Sequence, residues 1–164
     1  MNANQLLHPL VSSAIKELGI KAEVRECAPD LADTTQFCAH YGFPLEVCGN
    51  TIIIVGKSNP KVYAACVGLA HTRLDVNHTI RTLLEVRKTS FASADATKEL
   101  TGMEIGGVTV LGLPQSLPIF ADSRLLDKEY LVLGSGTRLS KLLVHPAELR
   151  KIPHLEFVEG LSVA

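Results

Sequence analysis

Two apolar runs, Thr51-Ile52-Ile53-Ile54-Val55 and Lys61-Val62-Tyr63-Ala64-Ala65-Cys66-Val67, flank the turn-forming Ser58-Asn59-Pro60. β-Branched and aromatic residues favour extended backbone, and a short polar turn with proline between two such runs is the signature of a hairpin. This pair predicts two central strands, and any fold for the chain must be built around them.

The remaining elements follow from periodicity and punctuation. Leu6, Leu7, Leu10, Val11, Ala14, Ile15 and Leu18 recur at helical spacing, with Pro9 near the start and Gly19 at the end, so they predict an amphipathic first helix. Residues 22 to 27 predict a strand, and Asp33 to Tyr41 a helix closed by Gly42. Asp75 and Ser93 stand where helix caps belong, the second before a helix that ends at Gly102. Short strands are expected at Val108 to Leu111, Ile119 to Asp122, Tyr130 to Leu133 and Leu142 to Val144, with a last helix after His145-Pro146. No regular alternation of strand and helix runs through this order. It predicts one α+β domain over residues 1–164, with a mixed, largely antiparallel sheet, rather than a doubly wound fold.

A chain of 164 residues is long enough to bury a core without disulfides or metal. Its 16 Lys and Arg against 17 Asp and Glu exclude a global electrostatic footprint for nucleic acid, so any RNA contact has to be local. Cys27, Cys38, Cys48 and Cys66 form no paired motif and have apolar neighbours, which reads as buried free thiols in a reducing compartment. The first residues show no basic start followed by an apolar run, and no segment has the length of a membrane span, so a cytoplasmic location is expected.

No side-chain catalytic constellation emerges. The six histidines are scattered, and none shares a motif with a carboxylate or thiol at metal-ligand spacing; each reads as a surface or cap residue, with His71 in GLAHTRLD the best candidate for a role. Ser135 in GSGTR lacks the G-x-S-x-G context of a nucleophile elbow, and GSGTRLSK lacks the lysine and hydroxyl of a phosphate loop. What remains is a set of loops. In TGMEIGGVTVLGLP, residues 101 to 114, Gly106 and Gly107 precede a strand-like run, and glycine there calls either for positive φ or for close approach of the backbone to another group.

The order and spacing of these segments resemble the aminoacyl-tRNA deacylases of the YbaK and ProX type, free-standing relatives of the editing domain inserted in bacterial prolyl-tRNA synthetase. The segments in register are Arg73-Leu74-Asp75, Glu99 to Gly102, Gly106 to Val108, Leu117 to Asp122, and Gly134 with Gly136. The resemblance runs from the first helix to about Leu149. It implies a curved sheet or partly open barrel with surrounding helices. It also implies hydrolysis of the ester joining a wrong amino acid to the 3′-terminal adenosine of a tRNA, often tRNA-Pro, without metal, cofactor or covalent intermediate. Under it, Gly106, Gly107, Val108 and Asn50 are the catalytic candidates. Asp122, Gly134, Ser135, Gly136, His71 and Arg73 are the candidates for binding substrate. Asp122 has a second reading as the cap of the following turn, and Arg73 with Asp75 a second reading as a structural pair. The implied partners are a tRNA acceptor end and, for delivery, an aminoacyl-tRNA synthetase.

Three positions depart from the family pattern. Asn50 stands where members carry a lysine, Val110 where the loop carries a proline, and Leu113 where a polar residue follows the next glycine. The departures leave two alternatives: a pocket retuned for another acyl group, or a catalytically weak binding protein for a tRNA end, an aminoacyl-adenosine-like ligand or a synthetase. Lys57 is a candidate to restore the lost charge; its place at the hairpin end favours solvent.

Overall fold

A computed structural model describes residues 3–164. The predicted hairpin is the longest ladder in it. Strand β2, Gly49–Gly56, pairs antiparallel with β3, Val62–Leu69, along all eight residues of each. Both strands read as continuous apolar runs because both of their faces are covered. Ile53, Ala65, Val67 and Leu69 enter one core cluster, while Ile54, Ala64 and Cys66 enter another on the opposite face.

Thr89–Phe91 (β5) adds antiparallel to β2; Ile119–Asp122 (β6) adds parallel to β3, and Leu155–Val158 (β9) adds parallel to β6. The five-stranded sheet therefore has the order β5-β2-β3-β6-β9. A three-stranded antiparallel sheet is made of Ala22–Glu26 (β1), Ser140–Val144 (β8) and Leu131–Gly134 (β7), in the order β1-β8-β7. Arg73–Leu74 (β4) and Ser162–Val163 (β10) form a short separate pair. Among the described residues a single bridge between Cys48 and Val132 links the two larger sheets, so no closed barrel forms and the fold is mixed α+β.

Helices cover the sheets where their caps dictate. Helix α1 spans Ala3–Leu6 and α2 spans Pro9–Leu18, the latter capped by His8 and ended by Gly19 in the left-handed region. Helix α3, Thr34–Tyr41, is capped by Asp33, whose carboxylate accepts from the amides of Thr35 and Gln36. Val76–Ile80 is a π-helical turn leading into α4, Arg81–Leu84, and α5 is Ala94–Thr101 with Ser93 as its cap. No helix of the described residues is long and apolar enough to cross a membrane.

One predicted strand does not form. Val108 to Leu111 lie in a loop between α5 and β6, although Val110 and Leu111 are buried. The run is pinned between Gly107, which packs against Thr137, and Gly112 at φ +80°, which packs against Leu10. Its apolar side chains fill the main core without offering the backbone a ladder partner. The predicted last helix is a 3₁₀ segment, Pro146–Lys151, capped by His145.

Candidate functional site

The start of β2, the start of α3, the glycine loop and the facing strands β7 and β8 enclose a cavity of about 380 Å³. Gly106 and Val108 form one wall, Asn50 and Thr51 the floor, and Gly134 with Lys141 the far side. The Thr34 hydroxyl donates to Asn50 Oδ1 at 2.6 Å. That bond orients the Asn50 amide and leaves its N–H donors for a ligand.

The glycine pair is explained by both demands that glycine can meet. Gly106 has φ +93°, and a β-carbon there would fall on the Arg138 guanidinium. A β-carbon on Gly107 would fall on the Thr137 carbonyl, and one on Gly134 would lie 2.6 Å from the Gly107 oxygen. Three successive carbonyls of the loop are held by the β7–β8 hairpin. Ile105 O accepts from Arg138 Nη1 at 3.0 Å, Gly106 O from Lys141 Nζ at 3.1 Å, and Gly107 O from Gly136 N at 2.6 Å. The Gly107 amide closes a turn onto Glu104 O at 2.9 Å, whereas the Gly106 and Val108 amides have no backbone acceptor among the described residues. Fixed N–H donors of that kind suit an oxygen on which negative charge develops.

Lys141 is the residue that the sequence did not reveal. It lies on β8 opposite Gly134, only 4% exposed, with Nζ 6.0 Å above the Phe37 ring of α3. Among the described residues no carboxylate pairs with its ammonium. Burial pushes its pKa below the usual lysine value, opposed by the nearby Cys27 and Cys48 thiols. A buried cation with one carbonyl partner, and with Asp33 of the cavity lining acting on it only from beyond ion-pair distance, is costly to keep charged and useful beside a ligand that develops negative charge. The signal was weak because Ser140, Leu142 and Val144 face the core, which makes Lys141 look like an outward strand position; α3 then covers that outer face.

The other sequence candidates divide. Asn50, Gly106, Val108 and Gly134 meet in the cavity, and Gly107 supports its wall from behind. Ser135 is buried away from it, donating to Ser140 O at 2.9 Å, and Gly136 packs on His8. His71 follows β3 in an exposed turn, and Arg73 is exposed on β4. Neither lines the cavity, and Arg73 makes no ion pair with Asp75, which instead accepts from Thr79. Asp122 is fully buried elsewhere, where its carboxylate accepts from Arg124 Nε and Nη2 and from the Ser162 amide and hydroxyl. Burial alone would raise its pKa, and those hydrogen bonds outweigh it and hold the group below the ordinary carboxylate value. Its geometry is that of a cap and cross-brace.

The departures from the family pattern also separate in space. Val110 and Leu113 line a different cavity of about 280 Å³ against α2, so of the three only Asn50 faces the site. Lys57 is at the far end of the hairpin, and the charge that reaches the cavity comes from Lys141 instead.

With this geometry established, the chain can be placed among known proteins. Residues 28–152 match the aminoacyl-tRNA editing domain, and the chain belongs to that family. The fold agrees with solved structures. A protein described as a candidate trans-editing enzyme for prolyl tRNA synthetase superposes with a TM-score of 0.80 at 21% identity, covering 96% of this chain and 99% of that one. Hypothetical protein APE2540 gives a TM-score of 0.82 at 24% identity, covering 94% and 99%.

Proposed function

We propose that the protein is a trans-editing aminoacyl-tRNA deacylase, hydrolysing the ester that links a wrong amino acid to the 3′ end of a tRNA, with tRNA-Pro the leading substrate. The observation that carries this is the meeting of Gly106, Val108, Asn50 and Lys141 around one cavity in a member of the editing family. The structural neighbour described as a candidate trans-editing enzyme for prolyl tRNA synthetase supports the choice of tRNA.

The chemistry asks little of side-chain nucleophiles. Attack of water on an ester carbonyl builds negative charge on oxygen, and donors already fixed in space lower that barrier because they need not reorganise. The Gly106 and Val108 amides are such donors, held by the carbonyl bonds to Arg138, Lys141 and Gly136. Asn50 is suited to hold the ribose or the ester carbonyl through its amide. Lys141 adds positive charge from a buried position, where its interaction with a developing oxyanion is stronger than in bulk water. The attacking water takes its place beside the terminal ribose hydroxyl of the substrate, and the products are free amino acid and a tRNA with an intact 3′ end. A small cavity separates acyl groups by size only modestly, which is the reason a second hydrolytic sieve exists.

The test is release of amino acid from tRNA-Pro charged with alanine, cysteine, serine or threonine, with a proven active relative alongside. Hydrolysis of at least one above buffer supports the reading; none, while the relative is active, sinks it. A second reading is favoured by Asn50, an uncharged residue where the family carries lysine: binding of a tRNA end or a synthetase without turnover. That reading expects tRNA binding with no hydrolysis by the wild type or by Asn50→Lys.

A further inference from the structure

A second cavity, of about 530 Å³, adjoins the first beside the start of α5. Ala92 lines both, and the wall of the second includes Lys57, Lys61, Tyr63 and Phe91. Ile53 faces the first and Val55 the second, two residues apart on one face of β2, a separation of about 7 Å. The chain brings its cations together here. Residues 54–63 and 86–94 contain Lys57, Lys61, Arg87 and Lys88, four cations against the two acids that flank the second segment, Glu85 and Asp95, in a protein whose net charge is -1. The Lys57 amide donates to Lys88 O at 2.8 Å, so the hairpin end and the loop before β5 form one surface, with all four cations exposed. Phe91, at 59%, is the most exposed large apolar side chain among the described residues.

An exposed ring beside clustered lysines, in a trough that opens into a pocket, is the arrangement that holds single-stranded nucleic acid: bases stack on the ring and phosphates meet the cations. We infer that this trough is the track for the unpaired 3′ strand of the tRNA, with a base on Phe91 and backbone phosphates on Lys57 and Lys61 as the strand enters the cavity past Ala92. It deepens the editing reading by assigning the contact surface of the same substrate, and it supplies the local basic patch that the overall charge requires.

The test is binding of a fluorescently labelled, single-stranded RNA dodecamer with a free 3′ hydroxyl to the full chain, measured by anisotropy over a salt series. For the Lys57→Gln/Lys61→Gln double variant, the slope of log affinity against log salt should fall by about 1.4, since each phosphate contact on a single strand contributes about 0.7. Phe91→Ala should weaken binding about tenfold and Phe91→Tyr should restore it, with thermal melts confirming that each variant is folded. On a mischarged tRNA the same substitutions should raise KM and leave kcat within about twofold. Absence of RNA binding by the wild type overturns the track, and so does unchanged affinity and slope in the variants, the result expected if the patch docks an acidic protein. RNA binding that depends on these residues without any hydrolysis would keep the track and sink the deacylase reading, so the two fail separately.

Discussion

The Lys141 ammonium donates to the Gly106 carbonyl at 3.1 Å, joining strand β8 to the loop that forms the opposite wall of the cavity. One contact thereby fixes the glycine loop and places a positive charge beside its free amides. The loop's other two restraints, from Arg138 and Gly136, come from the same hairpin. Wall and charge are therefore one rigid unit.

Titration of Lys141 should be visible. Burial lowers its pKa below 10.5, so the charge is complete below the lowered value and disappears as the pH rises through it. Enzyme-dependent deacylation, after subtraction of buffer hydrolysis, should decline on the alkaline side earlier than an ordinary lysine would cause. For stability the Lys141 contribution has the opposite sign: between the lowered native value and 10.5 the unfolded chain holds the proton and the native chain does not, so this group adds a rise with pH. It is set against the fall that the raised pKa values of the buried Cys27, Cys48 and Cys66 thiols impose above 9.0, and is read as the difference between wild-type and Lys141→Met melts. Lys141→Met should remove that rise.

Gly134→Ala should disable the site through the backbone. The new β-carbon would lie 2.6 Å from Gly107 O and 2.7 Å from Val108 O, and neither can yield without moving the loop. We expect a loss of about 1–3 kcal/mol, read as a lower Tm, with deacylation falling by about tenfold or more. Gly160→Ala is the comparison, because its φ of +76° penalises a side chain with nothing within 4 Å. It should cost about 1 kcal/mol and leave hydrolysis intact. Equal activity in the two variants would argue against the close-approach wall.

Asp122→Asn should weaken the fold and spare the chemistry. It removes the charge that pairs with Arg124 at 2.9 Å and that accepts from Ser162, at an expected cost of about 2 kcal/mol, less than for a fully buried pair because Arg124 is 44% exposed. The folded pKa of Asp122 is below its ordinary 3.8, so its contribution is complete above that value and is lost as the pH falls through the native one. Acid melts of the wild type should show that loss, and those of the variant should not. A variant with unchanged stability and abolished hydrolysis would return Asp122 to the site.

Local signals were read well where chemistry is local. Gly19, Gly42 and Gly102 end helices in the left-handed region, and Asp33 and Ser93 cap the helices they precede, because caps depend on a few neighbouring residues. The glycine pair was legible in the sequence, since only close approach or positive φ justifies it. Val108 to Leu111 misled, because β-branched residues fill a core as readily from a loop as from a strand. Strands β4, β5, β9 and β10 were missed: each is short, and its pairing, β4 with β10, β5 with β2 and β9 with β6, is set by distant segments. Lys141 was illegible for the same reason, since its burial depends on α3, about a hundred residues earlier in the chain, closing over β8.

The most direct measurement is single-turnover hydrolysis of a mischarged tRNA-Pro by the wild type, Lys141→Met and Asn50→Lys/Lys141→Met. The methionine has similar volume in a buried position, so the fold should survive with stability changed by about 1 kcal/mol or less. We expect hydrolysis by the wild type, a loss of about 100-fold in Lys141→Met through kcat rather than KM, and partial recovery when the charge returns from position 50. A wild-type rate retained in Lys141→Met would rule out a role for this charge in the reaction.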